Sequence, residues 1–341
     1  MRTLVISDLH LGSRLGRDVL RNPAALEVLA SALDDVERLV LLGDVLELTE
    51  ARPETAIRAA TPVLRALGSR VAEVIVVPGN HDRALVAPWL RAHGVPRAVD
   101  AAIPPDATPM LARLVASLQP ARVRVHYPGV WLADGVWATH GHYLDRHLLP
   151  ESAYGVARGL LGRLPPAGAL PADYEQRGRP SVTGLEGVLG RWLTPPLVAV
   201  LDGVLELLRA ATMPASPRSV IGRRLAPLAA LALGVQMRRA SIPALAHVAR
   251  RLGVDAEWVV FGHVHRSGPL AGDDRRQWSG PQGRPRIANT GSWVYEPPLL
   301  HRATPPHPYW PGGAIRLDGG GPPEAIGLLD HLPASVLHRR A

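Results

Sequence analysis

The chain has 341 residues, no cysteine, and 38 basic residues against 30 acidic ones. Without cysteine it has neither disulfides nor thiolate metal ligands. No window of about 18 uncharged apolar residues occurs, which argues against a membrane-spanning helix. The apolar run that precedes Asp8 is too short for the core of a signal peptide, so we expect a cytoplasmic protein.

Three apolar runs alternate with two helical segments at the start of the chain. The runs at 3–7, 39–42 and 74–77 are typical of buried strands. Between them, Asn22-Pro23 and Pro53 have the residue types that begin helices. This β-α-β-α-β order predicts parallel strands joined by right-handed crossovers.

A change to antiparallel pairing is predicted further along. The alternating segment 122–127 is followed by apolar runs at 130–133 and 136–139, which are separated by Asp134-Gly135, a typical hairpin turn. We expect this hairpin to belong to a second sheet packed on the first. Later apolar runs predict further strands, at 257–261, 286–293 and 314–317.

The segment 145–253 interrupts this pattern. It holds 14 arginines and, together with Asp255, 8 acids, so it accounts for most of the formal net charge of +8. Apolar helices are predicted at 197–208 and 219–233. One interpretation is a helical cap with a solvated basic rim. The other is a cap that offers an apolar groove and arginines to an anionic, lipid-like substrate or to a membrane surface.

Five of the predicted strands end in residue types that bind metal ions. Because the carboxyl ends of strands in an α/β sheet deliver their loops to one place, we expect these side chains to meet. They mix carboxylate, amide and imidazole donors, which suits Mn, Fe or Zn better than Mg or Ca. The five segments are Asp8-Leu9-His10, Gly43-Asp44, Gly79-Asn80-His81-Asp82, His140-Gly141-His142 and Gly262-His263-Val264-His265.

The number of these donors exceeds the needs of one ion. Two ions about 3.5–4 Å apart that share a carboxylate would use them all, and such pairs assist phosphoryl displacement. The sequence therefore predicts a site for two divalent metal ions, with Mn or Fe favoured and Zn the alternative.

The ordered motifs D-x-H, G-D, G-N-H-D, H-G-H and G-H-x-H resemble those of the calcineurin-like metallophosphoesterase superfamily. The resemblance covers about 1–143 and 256–317, and Ser7–Ser13 is similar to its bacterial branches. It implies a four-layer α/β/β/α sandwich of two mixed sheets. We expect 1–144 and 254–320 to form this catalytic domain, 145–253 a helical cap insertion, and 321–341 a peripheral tail.

The resemblance also implies roles for individual residues. His81 would stabilise or protonate the leaving oxygen, and Asp82 would orient His81. His142 and Asn289 are candidate substrate contacts. One metal ion would be held by Asp8, His10, Asp44 and His265, and the second by Asp44, Asn80, His140 and His263.

Hydrolysis of a phosphoester or pyrophosphate by a hydroxide that bridges the two metals is the implied reaction. The substrate hypothesis is a lipid-linked or nucleotide (pyro)phosphate. Ser7–Gly12 together with a helical insertion is similar to the UDP-diacylglucosamine pyrophosphohydrolases, but His81 stands where those enzymes typically have Arg, and His142 where they typically have Asp.

Two alternatives stay open. A nucleotide or nucleic-acid phosphodiesterase is one, although the basic segment lacks the aromatic residues interleaved with arginine that favour single-strand binding. A metal-binding scaffold without catalysis is the other, and retention of every proposed ligand argues against it.

Overall fold

The computed structural model describes residues 1–13, 16–49, 52–147, 165–175, 241–297, 299–300 and 302–337. The strands are β1 Arg2–Ile6, β2 Arg38–Leu41, β3 Glu73–Val76, β4 Ala101–Ile103, β5 Arg122–Tyr127, β6 Gly129–Ala133, β7 Val136–Thr139, β8 Trp258–Phe261, β9 Ser267–Gly268, β10 Arg286–Thr290, β11 Gly313–Asp318 and β12 Glu324–Gly327. The α-helices are α1 Pro23–Ala32, α2 Pro53–Gly68, α3 Ala87–His93, α4 Pro109–Ser117, α5 Pro171–Glu175, α6 Ile242–Arg251 and α7 Ala334–Leu337. Short 3₁₀ helices lie at Val19–Arg21, Arg83–Leu85, His142–His147, Arg275–Trp278 and Pro281–Gly283.

Seven strands form the first sheet, in the order β12-β11-β1-β2-β3-β5-β4. Strands β1, β2 and β3 are parallel, as the alternation of strands and helices predicts, and β5 pairs with β3 in the same direction. Helix α1 begins where expected, because the Asn22 side chain accepts a hydrogen bond from Ala24 N at 3.1 Å and Pro23 occupies the first helical position.

Five strands form the second sheet, in the order β6-β7-β8-β10-β9. The predicted hairpin is present, with β6 antiparallel to β7 across the turn at Asp134-Gly135. Strands β7, β8 and β10 are parallel to one another, and β9 is antiparallel to β10. Both sheets are therefore mixed.

Successive side chains along a strand point to opposite faces of the sheet, and this shows which faces pack together. In β1, Leu4 and Ile6 pack in the cluster that holds α1, α2 and α4, whereas Val5 faces a second cluster that also contains Val260 of β8 and Ala288 of β10. The sheets thus pack face to face, and α6 covers the outer face of the second sheet. The predicted four-layer α/β/β/α sandwich of two mixed sheets is confirmed.

Several features differ from the sequence prediction or fall outside it. The tail was expected to be peripheral, but β12 extends the first sheet beyond β11, and Leu329 and Leu337 are buried in the core. The short strand β4 was not predicted. The helices predicted at 197–208 and 219–233 lie outside the described residues, so the division into catalytic domain and helical cap stays a prediction. Within the described residues, no helix has the length and apolar character that crossing a bilayer requires.

Candidate metal centre

Loops that follow β1 and β2 run side by side into the centre. Asp8 N donates to Gly43 O at 3.0 Å, and His10 N donates to Asp44 O at 2.9 Å, which continues the pairing of the two strands beyond their ends. The loop after β3 joins them, because His81 N donates to Asp44 Oδ1 at 2.8 Å. The three loops of the first sheet therefore hold one another.

The second sheet delivers three histidines to the same place. His140 follows β7, while His263 and His265 follow β8. The two sheets are joined directly at the centre, since His263 N donates to Asp8 Oδ2 at 2.9 Å.

All seven predicted metal ligands come together. Asp8 Oδ1 lies 3.3 Å from His265 Nε2, which is 3.3 Å from His10 Nε2. Asp44 Oδ2 lies between the two halves, 3.9 Å from His10 Nε2 and 3.2 Å from His140 Nε2. Asn80 Oδ1 is 3.0 Å from His140 Nε2. Two groups that could hold a metal ion follow the predicted division, Asp8 with His10 and His265, and Asp44 with His140 and His263.

Hydrogen bonds on the far side of three imidazoles fix which nitrogen faces the centre. His10 Nδ1 lies 2.9 Å from Glu47 Oε2, and His265 Nδ1 lies 3.1 Å from Glu296 Oε1. His140 Nδ1 lies 3.0 Å from the Leu42 carbonyl oxygen. Carboxylates and carbonyls only accept, so each Nδ1 carries a proton, and Nε2 is the nitrogen that each ring turns towards the centre.

Such an arrangement favours a cation. Asp8 Oδ1 is buried and accepts no hydrogen bond from the described residues, even though His265 is close. Burial alone would raise the pKa of Asp44, but the neighbouring histidines hold it well below its ordinary value. Conversely, burial would lower the pKa of His140, and Asp44 raises it to about 10. The donor set therefore fits divalent metal ions, which would supply the positive charge that this cluster stabilises.

The backbone of five of these ligands is strained. Asp8, His10, Asp44, His263 and His265 have φ between 44° and 68°, the left-handed region that residues other than glycine rarely adopt. No motif in the sequence indicates this conformation. Strand β8 ends at Phe261, so His263 and His265 lie in the loop beyond it.

Two glycines permit the close approach of the loops. A Cβ at Gly79 would overlap Asp44 Oδ1 and come within 2.7 Å of His140 Cδ2. Gly43 has a φ of +87°, and a Cβ there would overlap the His140 ring. Because no side chain fits at either position, glycine is needed for the Asp44 and His140 groups to meet.

The carboxylate that orients His81 is Glu47. His81 Nδ1 lies 2.8 Å from Glu47 Oε2, the oxygen that also binds His10. Burial would lower the pKa of His81, but Glu47 and Asp44 raise it. The side chain is 31% exposed, so His81 can reach both the centre and a ligand in the cavity beside it.

Asp82 has a different role from the one predicted. It is fully buried and accepts hydrogen bonds from Val45 N at 2.7 Å and Gly79 N at 2.6 Å. It therefore braces the loops after β2 and β3 against each other, and the prediction that it orients His81 is wrong.

The two residues predicted to contact substrate, Asn289 and His142, lie in different surroundings. Asn289 is fully buried, and its amide bonds Gly262 O at 2.7 Å and Gly291 N at 2.8 Å, which assigns it to holding the turn. His142 lies beside the centre, with ring centroids 5.6 Å from His140 and 6.5 Å from His263. Its contact with substrate stays a prediction.

Three carboxylates around the histidines were missed or undervalued by the sequence analysis. Glu47 follows Asp44 by three residues, but the sequence alone gives it no defined role. Glu296 reaches His265 from a loop beyond β10, and Asp145 Oδ1 lies 2.8 Å from His263 Nε2. The last two depend on the folding of distant segments, and no spacing in the sequence indicates them.

A cavity of about 310 Å³ opens beside the centre. It is lined by Asp44, Glu47 and His81 of the centre and also by Arg17 and Tyr309. Residues 1–152 match the family model described as calcineurin-like phosphoesterase. This match covers less than half of the chain, and it shows that residues 1–152 are similar to calcineurin-like phosphoesterases. The metal centre and the cavity adjoin, as metal-assisted hydrolysis of a phosphoester would require.

The chain is similar to the following three solved structures, among others. A phosphopantetheinyl hydrolase from Mycobacterium tuberculosis is 18% identical, with 90% of this chain and 93% of that chain covered and a TM-score of 0.33. A dimetal phosphatase from Danio rerio is 12% identical, with 96% and 99% covered and a TM-score of 0.34. A cold-active protein-tyrosine phosphatase from a psychrophilic Shewanella species is 13% identical, with 93% and 75% covered and a TM-score of 0.27. No curated protein sequence matches the chain significantly.

Proposed function

We propose that the protein hydrolyses phosphoester or pyrophosphate bonds of small molecules with the help of two divalent metal ions, Mn or Fe in preference to Zn. Asp8, His10, Asp44 and His265 would hold one ion, and Asp44, Asn80, His140 and His263 the other. When bound, the pair would supply an activated water molecule and neutralise charge on the phosphoryl oxygens. The observation that supports this most is the convergence of three Nε2 atoms on two buried carboxylates beside an open cavity.

The protein groups have separate tasks in this proposal. Asp44 lies between both halves of the centre and sets their separation. His81, oriented by Glu47, would donate a proton to the leaving oxygen. Glu47 and Glu296 hold the imidazoles of His10 and His265 in the tautomer that keeps Nε2 unprotonated.

The nature of the substrate beyond the scissile bond is a further part of the proposal. The arginine-rich insertion supports an anionic substrate, either lipid-linked or a nucleotide (pyro)phosphate, and contact with an anionic membrane surface. Most of this segment lies outside the described residues, so these proposals depend on its composition. The cytoplasmic location and the relation to UDP-diacylglucosamine pyrophosphohydrolases stay predictions.

Asp44→Asn tests the metal-dependent hydrolysis. We expect metal content to fall below two ions per chain, and kcat for bis-p-nitrophenyl phosphate to fall by more than about a hundredfold, because the carboxylate shared by both halves is lost. Elemental analysis and a steady-state assay in Mn²⁺ measure both effects. Asp106→Asn, which removes an exposed carboxylate, is the matched control and should behave like the parent protein. Hydrolysis by protein stripped of divalent metal at the rate of the loaded protein would refute the proposal.

A further inference from the structure

We infer that the cavity beside the metal centre binds organic diphosphates, and that Arg17 binds the phosphoryl group that leaves when the P–O–P bond is cleaved. This inference rests on the proposed function, because it requires that the other phosphoryl group lie at the metal centre. Arg17 belongs to none of the motifs discussed above.

Arg17 lies on a fixed piece of backbone. Its carbonyl oxygen accepts from Tyr295 N at 2.9 Å, and Val19 N donates to Trp293 O at 3.0 Å. Asp18 forms an antiparallel bridge with Val294 between these two bonds. The segment that carries Arg17 is thereby held against the loop that supplies Glu296, and the start of its side chain has a defined position.

The charge of Arg17 is available to a ligand. Arg17 lines the same cavity as His10, Asp44 and His81. Among the described residues, its guanidinium forms no ion pair or hydrogen bond that would occupy its donors. Arg17 is close enough to Glu296 to help lower the pKa of that carboxyl, but Glu296 Oε1 already pairs with His265 Nδ1 at 3.1 Å. A second anionic group on the substrate would provide the partner that Arg17 lacks, and a guanidinium binds phosphate through two parallel hydrogen bonds.

Apolar and aromatic side chains also line the cavity. Val264, Val294, Leu299 and Tyr309 line it together with Arg17. A volume of about 310 Å³ is at the small end of the range for sites that bind small organic molecules. Within the described residues, the cavity therefore suits a compact diphosphate with a short apolar group, rather than a polymer.

Hydrolysis of a P–O–P bond is consistent with binding of the departing phosphate by Arg17. Water adds its oxygen to one phosphorus, the bond from that phosphorus to the bridging oxygen breaks, and the bridging oxygen leaves with the second phosphoryl group. One proton is released to solvent, and the products are two phosphate monoesters. Negative charge grows on the departing phosphate, where a guanidinium stabilises it. A departing phosphate needs no proton, unlike a departing alcohol. For a diphosphate, Arg17 would therefore contribute more than His81 to the departure of the leaving group.

Substitution of Arg17 separates diphosphate recognition from general hydrolysis. Arg17→Ala, Arg17→Lys and the exposed control Arg58→Ala are assayed in Mn²⁺ with P¹,P²-dibutyl diphosphate and with bis-p-nitrophenyl phosphate. The quantity compared is the ratio of kcat/KM for the diphosphate to kcat/KM for the monophosphate diester. We expect Arg17→Ala to lower this ratio by about ten- to a hundredfold, the loss expected for a charge-assisted hydrogen bond.

Arg17→Lys should lower the ratio less than Arg17→Ala, because lysine keeps the positive charge and loses only the bidentate hydrogen bonding. Arg58→Ala should leave the ratio at the parent value. The inhibition constant of inorganic pyrophosphate should rise in Arg17→Ala, which gives a readout independent of turnover. A ratio within about twofold of the parent in Arg17→Ala, or a parent protein that cleaves only the monophosphate diester, overturns the inference and leaves the proposed function standing. If the metal-loaded parent cleaves neither compound, the proposed function itself fails.

Discussion

At the scale of single residues, Glu47 connects two parts of the site. One of its oxygens lies 2.9 Å from His10 Nδ1 and 2.8 Å from His81 Nδ1, so the same carboxylate supports a proposed metal ligand and the proposed proton donor. Its side chain is nearly fully buried, and burial alone would raise its pKa, but the two histidines lower it well below the ordinary range. Glu47 is therefore charged at neutral pH, as both tasks require.

His81→Ala should slow turnover selectively. The proposed ligands remain, so both metal ions should stay bound, while substrates with poor leaving groups lose a proton donor worth about 10²–10⁴ in rate. Plotting log kcat against the pKa of the leaving alcohol for a series of phosphate esters should give a steeper negative slope than for the parent protein. His93→Ala, at the exposed end of α3, should leave the slope unchanged. An equal loss of rate for all leaving groups would contradict the role of His81 as proton donor.

At the scale of elements, the short helix α5 is tied to the catalytic fold through one carboxylate. Glu175 accepts hydrogen bonds from Arg83 Nε at 2.8 Å and Tyr143 Oη at 2.9 Å, and from the Tyr127 hydroxyl. Burial would raise the pKa of Glu175, but these contacts and the nearby His142 lower it to about 2. Since Arg83 directly follows Asp82, α5 is anchored to the loop that carries Asn80 and His81.

The Glu175 contacts predict a defined dependence of stability on pH. Its folded pKa, about 2, is below the ordinary value of 4.5, so the stabilisation is complete above pH 4.5 and is lost as the pH falls towards 2. Glu175→Gln should lower the free energy of unfolding at pH 7 by about 1–3 kcal/mol, with a smaller difference from the parent at pH 3. Urea unfolding at both pH values measures this. The control Glu324→Gln breaks an exposed ion pair with Arg316 and should lower the free energy of unfolding by about 1 kcal/mol or less. An equal effect of the two substitutions at pH 7 would contradict the anchoring role of Glu175.

Sequence information predicts the elements of this molecule better than the contacts between them. Strands β1, β2 and β3 were predicted because each contains an apolar run that is buried on both faces of the sheet, and their ends located the ligand loops. The edge strands β4, β9 and β12 are short and depend on their neighbours, so no periodic pattern indicates them. Glu296 and Asp145 reach the histidines only after distant segments have packed, and the left-handed backbone at Asp8 has no signature in side-chain type.

At the scale of the whole molecule, the centre joins the two sheets. Asp8, Asp44 and Asn80 come from loops of the seven-stranded sheet, and His140 and His263 come from loops of the five-stranded sheet. The buried carboxylates Asp8 and Asp44 repel each other, so positive charge between them should stabilise the fold as a unit.

Metal binding should therefore raise the thermal stability of the whole chain. At a free metal concentration of about 100 times Kd, the expected gain is about 2.7 kcal/mol. For a protein of this size that corresponds to a rise in Tm on the order of 5 °C. Differential scanning calorimetry of chelator-treated protein, before and after addition of Mn²⁺, measures the rise. Asp8→Asn should show a smaller rise, and an unchanged Tm in the parent despite measured uptake of metal would contradict a centre shared by both sheets.

The left-handed backbone at five of the proposed ligands bears on whether the centre is functional. A non-glycine residue held in such a conformation costs on the order of 1–3 kcal/mol and persists only where the surrounding structure enforces it. Strain of this kind concentrates at functional sites. Its presence at Asp8, His10, Asp44, His263 and His265 together is the pattern expected of a working centre, and it is hard to reconcile with an inert scaffold.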